Sequence, residues 1–218
     1  SDTSVGTILP GIEVRLMDLG GKPVANGEVG ELHVRGPNVM RGYYGHPEAT
    51  LAVMQDEWFA TGDVGHIDDA GHIFITDRKK DLFKLSNGKY IAPQQLESLL
   101  KQSEFVNQVV VVGSSRKYPA ALIVPDWEAL KGALRGAGET LAANNEEIAK
   151  QPAAVKMVQQ DVTKITAHLA DYERVRRVAL LPNEFSNDNG EMTPTLKVKR
   201  NVIDDRYSDL IEGLYGGV

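Results

Sequence analysis

The order of apolar and polar residues changes character part-way along the chain. Up to Asp77 the apolar positions come in short period-two runs. Ile12, Val14 and Leu16 alternate with Glu13 and Arg15, and Leu32 and Val34 alternate with His33 and Arg35. Ile73 and Ile75 flank Phe74 after an Asp-Asp-Ala-Gly turn at 68–71. Alternation of this kind turns one side of an extended chain inward. The Gly, Pro, Asn and Asp clusters between the runs predict turns, so short antiparallel strands are expected. Pro47 suits a first helical position and predicts one helix. This part reads as a small β-barrel or meander.

From Asp81 onward, strand patterns alternate with helical ones. Pro93 opens a helical stretch with Leu96, Leu99 and Leu100 on one face. Val109 to Val112 and Ala120 to Val124 are uninterrupted apolar runs, the length of buried strands. Asp126 then predicts an N-cap, with Trp127, Leu130 and Leu134 at helical spacing behind it. Residues 139–171 read as polar and helical, with Val155, Val158, Val162, Ile165 and Leu169 marking one apolar face. Val175 to Leu181 predicts a strand and Val202 to Leu214 a closing helix. The fold class is therefore α+β, with a β-rich part at 1–77 and a compact sheet flanked by helices at 81–218. Residues 78–80 are expected to form the hinge between them.

Composition narrows the partners. Lys and Arg number 24 against 30 Asp and Glu, a net charge of −6, which disfavours wrapping nucleic acid. The chain has no cysteine, so neither a disulfide framework nor a thiolate metal site is expected. No window approaches the roughly 18 uncharged apolar residues that a membrane span requires. The opening SDTSVGTILPG lacks the basic and apolar regions of a secretory signal. A cytoplasmic location is expected, with peripheral membrane contact left open. The amphipathic 152–170 stretch is not strongly basic, and is expected to cover the small domain's sheet. Trp58 and Trp127 are expected in the core. His66 and His72, with Asp63, Asp68 and Asp69 nearby, fit no standard ligand spacing, so no metal site is expected.

Three polar stretches carry candidate chemistry. In Trp58-Phe59-Ala60-Thr61-Gly62-Asp63, an acid after a glycine turn suits the vicinal hydroxyls of ribose, although Thr-Gly-Asp is also an ordinary turn. The stretch from Thr76 to Lys89 holds five basic residues against two acidic ones, with a tight turn at Asn87-Gly88. Arginine there suits phosphate or sugar oxygens, while a solvated linker followed by a hairpin has the same composition. The third, Gly190-Glu191-Met192-Thr193-Pro194-Thr195-Leu196-Lys197-Val198-Lys199-Arg200, would present Lys197 as a point charge to an oxyanion. It also reads as a surface strand leading into a basic helix start.

Taken together, in this order and spacing, the stretches resemble a family. The chain is similar along essentially its whole length to the carboxyl-terminal part of ATP-dependent acyl-adenylating enzymes. That superfamily comprises acyl-CoA synthetases, luciferases and peptide-synthetase adenylation domains. The resemblance runs through Gly11-Ile12-Glu13-Val14, Gly30-Glu31-Leu32-His33-Val34-Arg35-Gly36-Pro37, Gly42-Tyr43-Tyr44 and Pro47-Glu48-Ala49-Thr50 to the three stretches above. DRKKDLFKLSNGKYIAP, the helical 126–172 stretch and TPTLKVKR resemble long-chain fatty acyl-CoA synthetases most. Lys80-Asp81-Leu82 and Leu196-Lys197 stand where other branches more often carry Asp and Gly-Lys.

The resemblance implies residue roles. Asp63 and Arg78 would bind the ribose of ATP. Lys197 would bridge the fatty carboxylate and the α-phosphate during adenylation, where a preorganised cation stabilises developing charge. Lys80 would be the hinge between two half-reactions. Ser86, Asn87, Gly88 and Lys89 would line the pantetheine path of CoA in the second. The 1–77 part would be the end of a large adenylate-forming domain. The Ser/Thr-Gly phosphate loop, the Thr-Glu motif for Mg²⁺ and the acyl tunnel would lie upstream of this chain. The chain is therefore expected to be part of a longer ligase using long-chain fatty acid, ATP and CoA. It would work with its own missing N-terminal domain and be inactive alone. Adenylation of another acid, or a non-catalytic AMP- or CoA-binding descendant, is the alternative. Asp63, Arg78 and Lys197 standing together argue against the descendant.

Overall fold

The computed structural model describes residues 4–216. The chain divides between Leu82 and Phe83 into two compact units.

The first unit is built on a curled antiparallel sheet. Its strands are β1 (Glu13–Met17), β2 (Gly30–Arg35), β3 (Met54–Gln55), β4 (Trp58–Ile67) and β5 (Ile73–Arg78), with helix α1 (Pro47–Val53) between β2 and β3. The order is β1-β2-β4-β3, and β5 also pairs with β4. The ten-residue β4 is the spine: β3 pairs with its first part and β5 with its second. Two register shifts interrupt its pairing, the first with extra residues on β4 and the second with one extra residue, Thr76, on β5. Against β2, Glu31 opposes Val64 but His33 opposes Ala60; against β5, Val64 opposes Asp77 but Gly65 opposes Ile75. Extra residues of this kind kink a strand and raise its twist. At the second shift a Cβ on Gly65 would lie against the Phe74 carbonyl oxygen, well inside van der Waals contact. The alternation in the sequence places Leu16, Leu32 and Ile67 in a small core, with Val14, Val24 and Ile73 against it. Pro47 is at the start of α1, as its ring favours.

Trp58 is not part of that core. It is partly exposed on the sheet, with the Arg15 guanidinium 4.2 Å and the Arg35 guanidinium 4.9 Å from its ring centre. Strands β1 and β2 bring those arginines beside β4, and cation–π attraction holds the ring there.

The second unit starts with a hairpin, β6 (Phe83–Lys84) and β7 (Tyr90–Ile91), then α2 (Pro93–Leu100), β8 (Val106–Val112) and β9 (Ala120–Pro125). Helices α3 (Trp127–Gly136), α4 (Asn145–Lys150) and α5 (Pro152–Ile165) lead to β10 (Arg177–Leu180), and α6 (Arg200–Arg206) and α7 (Ser208–Tyr215) close the chain. The sheet order is β10-β9-β8, with β9 parallel to β10 and antiparallel to β8. Every residue of β9 is buried because both sheet faces are covered. Ala121 and Ile123 face a core shared with α2, α3, α4 and α5; Ala120, Leu122 and Val124 face Phe185, Ile203 and Ile211 on the other side. Asp126 caps α3, accepting from the Glu128 and Ala129 amides at 3.1 and 3.0 Å. Trp127 packs partly buried against the first of these cores.

Two expected helices are each broken. The 139–171 stretch holds α4 and α5, separated by an extended Gln151. Pro152 forces this, since the residue before proline avoids helical angles and proline starts a helix more readily than it continues one. α5 does cover the sheet, through Ala154, Val158 and Val162, but it ends at Ile165 and leaves Leu169 beyond it. The closing segment is interrupted at Tyr207, whose hydroxyl donates to Glu191.

Candidate functional site

Thr61-Gly62-Asp63 is not a turn between strands; it is the irregular stretch inside β4, opposite Leu32. Thr61 Oγ1 donates to the Leu32 carbonyl at 2.8 Å and accepts from the Asp63 amide at 3.0 Å, which fixes the distortion from both sides. Asp63 then stands opposite Arg78 on β5, and Arg78 Nε forms an ion pair with Asp63 Oδ1 at 2.8 Å. Two residues separated by a hairpin thus become one acceptor–donor pair. Both keep solvent contact, at 30% for the Asp63 side chain and 54% for Arg78. A carboxylate beside a guanidinium offers an acceptor and donors to a pair of adjacent hydroxyls.

The crossing begins beside this pair. Lys79 opens a single 3₁₀ turn, Lys79–Asp81, and its Nζ donates to Glu31 Oε2 on β2 at 2.7 Å. Glu31 is 4% exposed, and the same oxygen lies 3.3 Å from His33 Nε2. Burial works to raise the Glu31 carboxyl, but the bonds from Lys79 and His33 outweigh it and hold it below its ordinary value. Lys80 is exposed.

The second unit carries the other expected residues on two projecting turns. In the first, Ser86, Asn87, Gly88 and Lys89 are all exposed, above a buried Leu85. The Leu85 amide donates to the Lys89 carbonyl, the Gly88 amide to the Leu85 carbonyl, and the Lys89 amide to Asn87 Oδ1. Gly88 has φ +87°, and a Cβ there would meet only Lys84 Cε at an ordinary 3.9 Å, so the turn needs glycine for its backbone angle rather than for crowding. The turn is latched to the loop after β8: Ser115 donates to the Lys84 carbonyl and the Ser86 amide to the Arg116 carbonyl. Lys89 Nζ lies 5.4 Å from the Tyr172 ring centre.

The second turn presents Lys197, also exposed. Thr193 closes it, donating through its amide to the Lys197 carbonyl at 2.8 Å and accepting on Oγ1 from the Lys197 amide at 3.1 Å. Below, Met192 bridges Val198, and the Lys199 amide donates to the Glu191 carbonyl. Two carboxylates hold the base. Glu191, 1% exposed, accepts on Oε1 from Arg206 at 2.9 Å and Tyr207 at 2.8 Å. Burial first, and then the bond to Glu191, push the Tyr207 hydroxyl up to about 12. Glu97 on α2 accepts from Arg200 Nη2 on both oxygens, at 2.8 and 2.9 Å, and from the Val111 amide. The sequence reading missed Glu97, Glu191, Arg200, Arg206 and Tyr207 as anchors.

Asp63 and Arg78 thus belong to the first unit, and Lys197 and the Ser86–Lys89 turn to the second. Residues 80–218 match the AMP-binding enzyme C-terminal domain, and residues 1–44 match the AMP-binding enzyme family. The chain belongs to the AMP-binding enzyme family. It is 34% identical over 218 residues to long-chain-fatty-acid–CoA ligase FadD15 of Mycobacterium tuberculosis, covering 99% of this chain and 35% of that protein. It is 38% identical over 220 residues to long-chain-fatty-acid–CoA ligase 1 of Cavia porcellus, covering 98% of this chain and 31% of that one. The chain therefore spans about a third of the length of these curated relatives. Among solved structures it is similar to the A domain of carboxylic acid reductase from Segniliparus rugosus, in complex with AMP and a co-purified carboxylic acid. That match has a TM-score of 0.73 and 28% identity over 95% of this chain and 32% of that one.

Proposed function

We propose that this chain is the C-terminal part of an ATP-dependent long-chain fatty acid:CoA ligase. The observation that carries the reading is the Asp63–Arg78 pair on one unit, with the Lys197 turn and the Ser86–Lys89 turn together on the other. The similarity to long-chain ligases supports the acid class.

In the first half-reaction a carboxylate oxygen of the fatty acid attacks the α-phosphorus of ATP. The bond to pyrophosphate breaks, and acyl-AMP and pyrophosphate result. Asp63 and Arg78 hold the ribose hydroxyls. Lys197 faces the carboxylate and the α-phosphate, and its ammonium offsets the charge that gathers between them. In the second half-reaction the CoA thiol attacks the acyl carbon, its proton is lost and AMP leaves. The second unit turns about Lys80 to replace the Lys197 turn with Ser86, Asn87, Gly88 and Lys89, which line the path of the pantetheine arm. Among the described residues no group of three or more His, Asp or Glu side chains is placed to hold a metal ion. The Mg²⁺ that accompanies ATP is assigned in this reading to the upstream part of the protein, as are the phosphate loop and the acyl tunnel. The chain by itself makes no acyl-CoA. The similarity to a carboxylic acid reductase domain keeps a second reading in view, in which the same adenylating half serves another carboxylic acid.

The test separates the half-reactions in the enzyme that joins this chain to its upstream part. Lys197→Ala is expected to slow pyrophosphate release by about 10² to 10³, the usual cost of one donor to developing charge. Given preformed acyl-AMP and CoA, it still makes thioester near the normal rate. Lys80→Pro is expected to do the reverse, because a fixed φ hinders rotation at the hinge. Equal loss of both steps by a folded Lys197→Ala enzyme would sink the assignment. Release of pyrophosphate with a short or aromatic acid, and not with a long-chain one, would favour the second reading.

A further inference from the structure

β5 ends at Arg78, yet side-chain anchoring to the first unit extends one residue further. Arg78 is fixed by its pairing with Asp63. Lys79 has left the sheet, but its ammonium reaches back across to β2 and meets the buried Glu31 carboxylate at 2.7 Å. A carboxylate buried this far needs a partner in place, because an uncompensated charge there is costly. The tie is therefore stronger than an exposed ion pair. Among the described residues nothing holds the Lys80 side chain, which is exposed. Between Lys79 and Lys80 the side-chain hold drops from an ion pair with a buried carboxylate to none, and the turn that carries Lys80 is closed by backbone, the Leu82 amide donating to the Arg78 carbonyl at 3.2 Å.

We propose that Glu31 is a positioning residue. Through Lys79 it clamps the first-unit end of the crossing, so that the change of backbone angles between the two half-reactions starts at Lys80. Each residue contributes two soft dihedrals. Releasing Lys79 lengthens the pivot and broadens the poses the second unit samples, which lowers the share that is competent for either step. Glu31 lies on β2 and Lys79 just past β5, and neither is part of the Asp63–Arg78 pair, so nucleotide binding there is expected to be spared. The catalytic consequence rests on the ligase reading above; the clamp itself does not.

The experiment uses the enzyme with its upstream part and compares wild type with Glu31→Gln, Lys79→Met and the double variant. Amide hydrogen exchange in the peptide spanning 79–82 is expected to speed about tenfold in each single variant, with Val64, Ile67 and Ile73 protected as before. The double variant is expected to match the singles, because one shared contact is lost only once. Overall kcat is expected to fall roughly three- to tenfold while KM for ATP holds, as suits a conformational step. If Glu31→Gln loosens β4 as well, the exposed Lys79→Met decides alone. Unchanged exchange at 79–82, additive effects in the double variant, or a KM for ATP that rises with the fall in kcat would each overturn the clamp. A wild-type enzyme that makes no acyl-CoA from long-chain acids sinks the ligase reading instead, and leaves the exchange result to stand on its own.

Discussion

Tyr207 keeps its proton well past the range of an ordinary tyrosine, because its hydroxyl is partly buried against Glu191. A group whose folded value is raised stabilises the fold fully below its unfolded value, near 10, and loses that contribution as pH climbs towards about 12. The second unit is therefore expected to lose stability across that window. Tyr207→Phe should be less stable at neutral pH, having lost the bond to Glu191, and should show a shallower decline. Tyr215 is raised as well, so some decline remains in the variant. Urea midpoints measured across the window for both proteins check this, and parallel curves would refute it. At this scale the sequence offered candidates where residues lie within a motif of their own. Asp63, Arg78 and Lys197 stand in recognisable runs. Glu97 was not legible as an anchor, because its partner Arg200 lies far along the chain and only the packed fold brings the two together.

Two register shifts set the geometry of the Asp63–Arg78 pair, one where β4 carries extra residues against β2 and one where β5 carries an extra residue against β4, and the second depends on Gly65. Any side chain there meets the Phe74 carbonyl, which is backbone and part of the β4–β5 pairing. Gly65→Ala is expected to destabilise the chain by about 1–3 kcal/mol, the usual cost of forcing extra atoms into a tight site. It should also weaken the Asp63–Arg78 pairing just beyond it. A thermal melt within error of wild type would show that β5 can slide to make room. Element types were largely readable, since period-two and period-3.6 patterns report which side chains turn inward. Element ends were less so. The apolar pattern runs on past Ile165 to Leu169 because the chain stays on the core after the helix has stopped. The Thr-Gly-Asp irregularity inside β4 was read as a turn, because a local run of residues does not reveal which strand lies opposite.

The whole chain is two units with the crossing at Lys79–Phe83. Limited trypsin digestion is expected to cut first after Lys80, giving two stable fragments, while Lys131 and Lys164, on helices against the larger core, resist. Early cuts within 105–125 would place the weak point inside the second unit instead. The second unit has its own vulnerability, and it concerns how the protein is made. The parallel strands β9 and β10 are separated by all of α3, α4 and α5. As the chain leaves the ribosome, Ala-Ala-Leu-Ile-Val emerges with β8 to pair with and nothing for its other edge until Arg177–Leu180 follows. That interval leaves an uncharged, apolar edge open to any passing extended peptide. Non-local pairings of this sort also close late. A premature stop before Arg177 would do more than shorten the protein: it would leave the nascent chain with a permanent template for self-association.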